Sequence, residues 1–197
     1  MIRKLILIAG PPASGKTFYA THLSQMGMVP VFSKDRLKEL MYDTLKFQVD
    51  NPESVKKYGA VAYKNLFYIA ESLMTSGVDF SLESNFTAES VSVLLPMVHK
   101  YRYSVLTVLF DASSDVLYQR FTERDKTAER HPGLGPGVYQ DLPSFRNLSD
   151  NARRFRLEEG AVIKIDSTDF KNVDYSLLDK EVKKFLKHDF KEEENAY

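Results

Sequence analysis

The sequence predicts an α/β fold in which five short strands form a mostly parallel sheet with helices on both faces. Short apolar runs alternate with longer segments of helical periodicity, which is the pattern of such sheets. Two of these runs, Leu5–Ala9 and Ser104–Phe110, are almost continuously apolar, as strands buried on both sides usually are. A hydrophobic fraction of 43% in 197 residues is enough for a core, and we expect one domain over residues 1–197.

The predicted elements follow one another regularly along the chain. The expected strands are Leu5–Ala9, Val29–Phe32, Asp79–Glu83, Ser104–Phe110 and Ala161–Ile165. Asn51 followed by Pro52 signals a helix start, because Asn caps the first turn and Pro fits within it. Gly77 can adopt the left-handed conformation that ends this helix. The other expected helices begin at Lys16 and cover residues 35–46, 88–101, 114–124 and about 174–190.

One segment between the fourth and fifth strands interrupts this alternation. Residues 127–150, TAERHPGLGPGVYQDLPSFRNLSD, contain most of the Gly and Pro of the second half of the chain. An irregular connection of this length is usually functional or disordered. We therefore expect a lid at about residues 120–150.

Charge and composition narrow the class of protein. The 27 Lys and Arg residues balance 27 Asp and Glu residues, so the chain lacks the basic surplus of most proteins that bind duplex DNA, and a nucleic-acid partner is not expected. There is no cysteine for a disulfide framework or a thiolate metal site. The first apolar run stops at Ala9, too short for a signal peptide. We expect a cytoplasmic protein without membrane contact.

The loop after the first strand carries a phosphate-binding motif. GPPASGKT matches G-x-x-x-x-G-K-[ST] in full, and it lies between a buried strand and a helix, as its mechanism requires. Its backbone N–H groups and the helix N-terminus would bind ATP phosphates, Lys16 would reach the β- and γ-phosphates, and the Thr17 hydroxyl would ligate Mg²⁺. The predicted nucleotide-binding residues of the loop are Gly10, Pro11, Pro12, Ala13, Ser14, Gly15, Lys16 and Thr17.

Acidic and amide side chains follow the next strands. Asp35 comes directly after the second strand, and Glu83 and Asn85 lie at the end of the third. In open α/β sheets ligands bind at the carboxyl ends of the strands, so these groups are candidates for substrate and metal binding. Asp111 at the end of the fourth strand is an alternative metal ligand, although the residues after it indicate a capped helix start.

Arginines are concentrated just before and within the expected lid. Arg120 and Arg124 are four residues apart, on one face of the fifth helix, and Arg130 and His131 follow. Acids near a nucleophile and a metal, with mobile arginines over the phosphates, suit phosphoryl transfer. The alternative is that the two helical arginines are simply solvated. His131 is expected to have a structural role in the lid rather than to act as a base.

Four stretches together resemble a known family. GPPASGKT, SKDRLKEL, SLESNF and YQRFTERDKTAERHPG are similar to the small bacterial P-loop kinases grouped with zeta toxin and chloramphenicol phosphotransferase. The resemblance covers roughly residues 1–170. It implies a P-loop NTPase fold with strand order 2-3-1-4-5, and transfer of the ATP γ-phosphate to a hydroxyl of a small molecule.

The resemblance also implies roles for single residues. Asp35, followed by Arg36, would be the general base and substrate anchor. Glu83 would hold the waters of the metal or the substrate, so that Thr17 and Glu83 form the expected metal site. Asn85 would complete the acceptor pocket with parts of residues 41–68.

The remaining positions carried over concern the nucleotide. Arg120 would lie against the nucleotide, and Arg124 and Arg130 would contact its phosphates. The run Asp166-Ser167-Thr168, just after the fifth strand, would flank the adenine. The expected catalytic residues are thus Lys16, Asp35, Arg124 and Arg130.

Two other classes of function are compatible with the sequence. A polynucleotide 5′-hydroxyl kinase would use the same loop, but its binding would depend steeply on salt. A non-catalytic switch protein would bind ATP without transferring phosphate to an acceptor. The sequence favours an ATP- and Mg²⁺-dependent kinase of small molecules, and it does not identify the acceptor.

Overall fold

The computed structural model describes residues 2–128 and 130–187. Its strands form a single sheet in which every pairing is parallel, in the order β2-β3-β1-β4-β5. This confirms the predicted P-loop fold class and its strand order. The strands are β1 Arg3–Ala9, β2 Val31–Ser33, β3 Phe80–Ser84, β4 Tyr103–Asp111 and β5 Ala161–Asp166.

The central position of β1 in the sheet determines where a ligand-binding site can form. Ala9 at its carboxyl end is in register with Ser84 on β3 and with Leu109 on β4. The chain passes from one side of β1 to the other between β3 and β4. The loops that follow β3 and β4 therefore lie on the two sides of the loop that follows β1, and a crevice forms between them. In doubly wound sheets this switch point is where ligands bind.

Helices cover both faces of the sheet, and those predicted are found with bounds shifted by a few residues at most. They are α1 Lys16–Gln25, α2 Lys34–Leu45, α3 Pro52–Thr75, α4 Ala88–Tyr101, α5 Ser114–Asp125, α6 Leu142–Arg153 and α7 Tyr175–Lys187. The predicted end of the last helix, residues 188–190, lies outside the described residues. Within the part of the chain that the structure describes, no helix is long and apolar enough to cross a membrane.

The core has two halves because side chains of β1 alternate between the faces of the sheet. Leu5 and Leu7 pack with residues of α3 and α4, such as Leu66. Ile6 and Ile8 pack on the opposite face with α1 and α7. All four of these strand side chains are fully buried, and each contributes about 1.5–3 kcal/mol relative to exposure. This rigid centre fixes the direction in which the phosphate loop leaves β1.

Two of the differences from the predicted boundaries have a clear physical reason. The second strand was expected at Val29–Phe32 but comprises Val31–Ser33, because only these residues pair with β3. The prediction of an irregular connection over residues 127–150 is wrong from Leu142 onward, where α6 begins. Asp141 caps this helix by accepting a hydrogen bond from the Ser144 N–H at 2.8 Å. Phe145 anchors it in a small core shared with α5.

Candidate active site

The phosphate loop connects β1 to α1 through backbone conformations that only glycine adopts without strain. Gly10 has a φ of +143°, and a Cβ there would lie 2.1 Å from the carbonyl oxygen of Phe110 on β4. Gly15 has a φ of +91° and directly precedes α1. Both glycines of the motif are therefore required by the shape of the loop as well as by any ligand.

The start of α1 offers hydrogen-bond donors for an anion. Gly15 has no side chain to cap the first turn, and the first turn holds no acidic residue. The buried Ser14 hydroxyl has no hydrogen-bond partner within the described residues. Unsatisfied donors at the positive end of a helix fit a phosphate group, so the residues present suit the triphosphate that the motif predicts.

Lys16 lies over the loop, with its side chain almost completely buried. Its Nζ donates a hydrogen bond to the carbonyl oxygen of Pro11 at 3.2 Å and lies 3.9 Å from Oε1 of Glu83. Burial lowers the pKa of Lys16, although Glu83 and Asp35 act in the opposite direction. A desolvated ammonium of this kind gains strongly from an anionic ligand.

Glu83 connects the phosphate loop to β2. Its Oε1 accepts a hydrogen bond from the Thr17 hydroxyl at 3.1 Å, and its Oε2 accepts one from the Ser33 hydroxyl. The carboxylate is only 1% exposed, and burial raises its pKa even though the nearby Lys16 lowers it. The predicted pair of Thr17 and Glu83 is thus brought together in space.

This pair fits a Mg²⁺ ion. Within residues 2–128 and 130–187, no group of three or more His, Asp or Glu side chains could enclose a metal. Mg²⁺ usually keeps several waters and binds through one or two protein oxygens and substrate phosphates. The Thr17 hydroxyl and the Glu83 carboxylate are oxygens of this kind, and Lys16 beside them would neutralise part of the phosphate charge.

Asp35 stands in the first turn of α2 beside a lysine that sequence reasoning missed. Lys34 Nζ lies 2.5 Å from Oδ1 of Asp35 and 5.5 Å from the centre of the Tyr63 ring. Burial alone would raise the pKa of Asp35, but Lys34 and then Lys16 outweigh it, so the pKa lies well below its usual range. Asp35 is therefore ionised at neutral pH.

One pocket brings together predicted site residues from several elements. Seven of them line it together: Pro12, Lys16, Thr17, Asp35, Asn85, Arg124 and Arg130. The lining residues that were not predicted include Lys34, Lys38 and Tyr139. The buried Oδ1 of Asn85 accepts no hydrogen bond from the described residues, which leaves it available to a ligand.

The two arginines reach this pocket from α5 and from the segment after it. Arg130 Nε lies 3.0 Å from Oδ1 of Asp125, which holds it in place. Arg124 has a buried Nε without a hydrogen-bond partner in the described part of the chain. Both guanidinium groups lie within 6 Å of the Phe121 ring, at 5.9 and 5.7 Å. The predicted pairing of Arg124 with Arg130 at one site is consistent with these positions.

Arg120 and Thr168 lie outside that pocket, beside the outer wall of the phosphate loop. Arg120 donates hydrogen bonds to the carbonyl oxygens of Ser167 at 2.7 Å and Thr168 at 3.0 Å. Its guanidinium stacks on the Phe170 ring at 3.8 Å. A Cβ on Gly15 would lie 2.5 Å from this ring, so Phe170 touches the loop. These residues form a flat surface next to the loop, where the sequence predicted the nucleotide.

Two candidates do not line the pocket of Lys16. Arg36 is exposed and pairs with Glu39 at 3.0 Å, and it lines a neighbouring depression together with Thr17 and Asp35. Asp111, the alternative metal ligand, receives hydrogen bonds on both oxygens from Nε of Arg153 at 3.1 Å. Asp111 is thus paired with Arg153, whereas the acid that contacts the motif directly, through the Thr17 hydroxyl, is Glu83.

The start of the expected lid packs tightly on α2 and α3. A Cβ on Gly133 would lie 2.6 Å from Cβ of Tyr42, and one on Gly135 would lie 2.8 Å from Cγ2 of Val55. His131 lies 3.2 Å from the Asp43 carboxylate and accepts a hydrogen bond from the Gly133 N–H. This segment therefore packs against α2 beside the pocket, and the contacts of His131 are those of a residue that holds the segment there.

The sheet order, the phosphate loop and the charged pocket define a P-loop protein of the kinase type, a fold that binds nucleotides such as ATP. The family described as AAA domain matches residues 5–133, and the chain belongs to this family. No curated protein sequence matches the chain. Its narrower grouping with zeta toxin and chloramphenicol phosphotransferase stays a prediction.

Solved structures with the same fold include kinases. A protein from Chloroflexus aurantiacus described as a candidate kinase is 26% identical, with a TM-score of 0.82 over 94% of this chain and 100% of that chain. A sugar kinase from Janibacter sp. is 13% identical, with a TM-score of 0.56 over 93% and 94% of the two chains. Shikimate kinase from Aquifex aeolicus is 22% identical, with a TM-score of 0.50 over 93% and 95%. The last two show likeness of fold alone.

Proposed function

We propose that this protein is an ATP- and Mg²⁺-dependent kinase that transfers the γ-phosphate to a hydroxyl of a small molecule. The observation that carries this proposal is the shared pocket of Lys16, Thr17 and Asp35. It brings a phosphate-binding loop and an ionised carboxylate to one space, and the carboxylate can accept a hydrogen bond from an incoming hydroxyl. Phosphoryl transfer needs little more than such positioning and charge stabilisation.

The loop side of the pocket binds and orients the triphosphate. The amides at the start of α1 and the Lys16 ammonium would surround the β- and γ-phosphates. Thr17 and Glu83 would hold Mg²⁺, which would supply further charge neutralisation. Arg124 and Arg130 contact the oxygens that gain charge as the γ-phosphoryl group moves. Arg130 and Leu134 of segment 130–135 line the same pocket, so closure of this segment on a bound ligand would reduce the access of water.

Asp35 acts on the acceptor. Lys34 and Lys16 keep it ionised, so it accepts a hydrogen bond from the acceptor hydroxyl and directs the oxygen at phosphorus. A base with a pKa far below neutral is weak, which favours orientation over early deprotonation. As the acceptor oxygen bonds to phosphorus, the bond to the bridging oxygen breaks and ADP leaves with its electron pair. The attacking oxygen is then strongly acidic, and Asp35 takes its proton late.

The test is transfer of labelled γ-phosphate from ATP to a pooled extract of small metabolites. We expect a labelled product with the wild type and at least about a hundredfold less with Asp35→Asn, while ATP binding is retained. Asp115→Asn is the matched control, because the Asp115 side chain is 88% exposed and does not line the Lys16 pocket. Wild-type turnover in the Asp35→Asn variant would exclude Asp35 from the reaction.

The same experiment separates the other two classes of function. Transfer to oligonucleotides but not to the metabolite pool would indicate a polynucleotide 5′-hydroxyl kinase. ATP binding without any acceptor-dependent transfer would indicate a switch protein. Either result would replace the proposed function.

A further inference from the structure

The pocket has an excess of positive charge. Its lining includes one carboxylate, that of Asp35, and five cationic side chains, those of Lys16, Lys34, Lys38, Arg124 and Arg130. Confining like charges in a partly dehydrated space is unfavourable unless anions bind there. The distribution of these cations therefore carries information about the ligands.

Three of the cations have an acidic neighbour in the protein. Lys34 lies beside Asp35, Arg130 lies beside Asp125, and Lys16 lies 3.9 Å from Glu83. The remaining two are Arg124 and Lys38. Arg124 is close enough to Lys16 to lower its pKa, which places Arg124 at the phosphate-loop end of the pocket. The γ-phosphate of the proposed reaction accounts for Arg124 but not for Lys38.

Lys38 is the unexplained cation. Its side chain is buried, at 2% exposure, and its hydrogen bond to the carbonyl oxygen of Val55 is long, at 3.4 Å. Within the described residues, no carboxylate lies within 4 Å of its ammonium group. Burying a charged amine with so weak a partner is costly. A structural role alone would be served as well by an apolar side chain.

Lys38 lies on α2 one turn further from the start of the helix than Asp35, and the helix starts directly after β2 at the carboxyl edge of the sheet. The charged groups that influence its pKa are Lys34 and Asp35 on its own helix and Arg130 from the segment after α5. Neither Lys16 nor Arg124 is among them. Between Lys38 and the loop lies Asp35, the proposed anchor of the acceptor hydroxyl. The acceptor would therefore lie with its hydroxyl toward the loop and its opposite end toward Lys38.

We propose that the acceptor is a hydroxylated small-molecule anion, whose carboxylate or phosphate pairs with Lys38 while its hydroxyl meets Asp35. This inference rests on the proposed kinase function. The buried side-chain amide of Asn85 and the Tyr139 ring, which line the same space, would contact the part of the acceptor between these two groups.

The protonation of Lys38 supports this assignment. Burial, with a contribution from Lys34, lowers its pKa to about 8, while Asp35 opposes the shift. The ammonium is therefore mainly charged at pH 7 and loses its charge just above pH 8. A bound anion would be held by the charged form, so the KM for the acceptor should rise between pH 7 and pH 9.

The experiment divides a metabolite extract on an anion exchanger. The retained fraction contains anions, and the unretained fraction contains neutral and cationic compounds. Each is incubated with the protein, Mg²⁺ and γ-labelled ATP, and ATP binding is measured in parallel. We expect the labelled product only with the retained fraction.

The variants then identify the group that recognises the anion. In Lys38→Met we expect the KM for the purified acceptor to rise roughly 10- to 100-fold, with unchanged ATP affinity and a smaller change in kcat. Lys38→Arg should recover much of the affinity and abolish the rise in KM between pH 7 and pH 9. Lys56→Met, which removes an exposed lysine of α3, is the matched control.

The outcomes distinguish failure of this inference from failure of the proposed function. Transfer only to the unretained fraction would overturn the anionic acceptor and leave the kinase intact. Transfer to the retained fraction with an unchanged KM in Lys38→Met would overturn the role of Lys38. ATP binding without transfer to either fraction would overturn the kinase and, with it, this inference.

Discussion

The two strands that flank β1 both end near a carboxylate, but the two carboxylates are used differently. On β3, Glu83 is 1% exposed and contacts hydroxyls of the phosphate loop and of β2. On β4, Asp111 is 45% exposed and both of its oxygens accept hydrogen bonds from Arg153. A position at the carboxyl edge of a sheet therefore does not by itself make an acid functional. The groups that contact the carboxylate determine whether it is free to act on a ligand.

The difference extends to the surroundings of each acid. On the β4 side, Arg153 also donates to the Ala112 carbonyl and to the Ser114 hydroxyl, so donors and acceptors are matched within the protein. On the β3 side, positive charge exceeds negative charge and several polar atoms have no protein partner in the described chain. We expect substitutions on the β3 side to affect turnover, and those on the β4 side to affect stability.

The largest effect should come from a matched pair of Asp→Asn substitutions. Asp35→Asn should lower turnover by about 10²- to 10⁴-fold, because the acceptor hydroxyl loses its ionised hydrogen-bond acceptor. Asp111→Asn should leave turnover within a few-fold. Steady-state kinetics of both variants would check this, and equal losses would show that the two sides of β1 do not differ in function.

Glu83→Gln should have the next largest effect on turnover. We expect a loss of about 10- to 100-fold and a higher Mg²⁺ requirement, because a neutral amide is a poor partner for the metal and its waters. The measurement is a Mg²⁺ titration of the rate. An unchanged Mg²⁺ dependence would argue against a metal role for Glu83.

The same variant tests the raised pKa of Glu83. A carboxyl group whose pKa is higher in the folded state costs stability as the pH rises through the ordinary pKa, since the unfolded chain ionises more easily. Glu83→Gln lacks this cost. The stability of the variant relative to wild type should therefore be higher at pH 8 than at pH 4. Urea unfolding of both proteins at the two pH values measures the free energies of unfolding.

Arg153→Met should act mainly on stability. It removes the donors to Asp111 and Ala112 from a partly buried network, and we expect the free energy of unfolding to fall by roughly 1–2 kcal/mol. Turnover at a temperature where the variant is folded should stay within a few-fold of wild type. Arg154→Met, at the exposed neighbouring position, is the control for chemical denaturation. Loss of turnover without loss of stability would reverse the comparison.

Phe170→Ala should give the smallest effect. The ring stacks on Arg120 and touches Gly15, so its loss should weaken ATP binding by about threefold to tenfold. Calorimetric titration with ATP would measure this. Tyr68→Ala, which removes a 74% exposed ring far from the loop, should leave the affinity unchanged. Equal affinities in the two variants would remove Phe170 from the nucleotide surface.

The parts of the fold and site that could be predicted from the sequence are those with a local signal, in residues that are consecutive or nearly so. The continuous apolar run of β1 and the motif that follows it define the central strand and the loop. Asp35 and Glu83 were found because they follow predicted strands, and parallel strands end at one edge. The strand order itself came from the resemblance, because pairing between distant segments leaves no local pattern.

Other features were missed for identifiable reasons. Lys38 gains its position only through the packing of α2 against α3, so no spacing in the sequence marks it. Asp111 follows an apolar strand, as the metal-binding acids of many P-loop proteins do. Only its pairing with Arg153, which is distant along the chain, distinguishes it from such an acid. The start of α6 did have a local signal, since Asp141 and Pro143 suit a first turn, but the preceding Gly and Pro residues concealed it.

The support of the phosphate loop has a consequence for biosynthesis. The Ser167 hydroxyl donates to the carbonyl oxygen of Ser14 at 2.7 Å, and Phe170 touches Gly15, so the loop depends on residues made more than 150 positions later. Such distant contacts form only when both partners have been synthesised. A nascent chain that ends before Ser167 therefore has the complete motif but lacks the residues that support the loop. We expect ATP binding to appear only once β5 and the turn after it have left the ribosome.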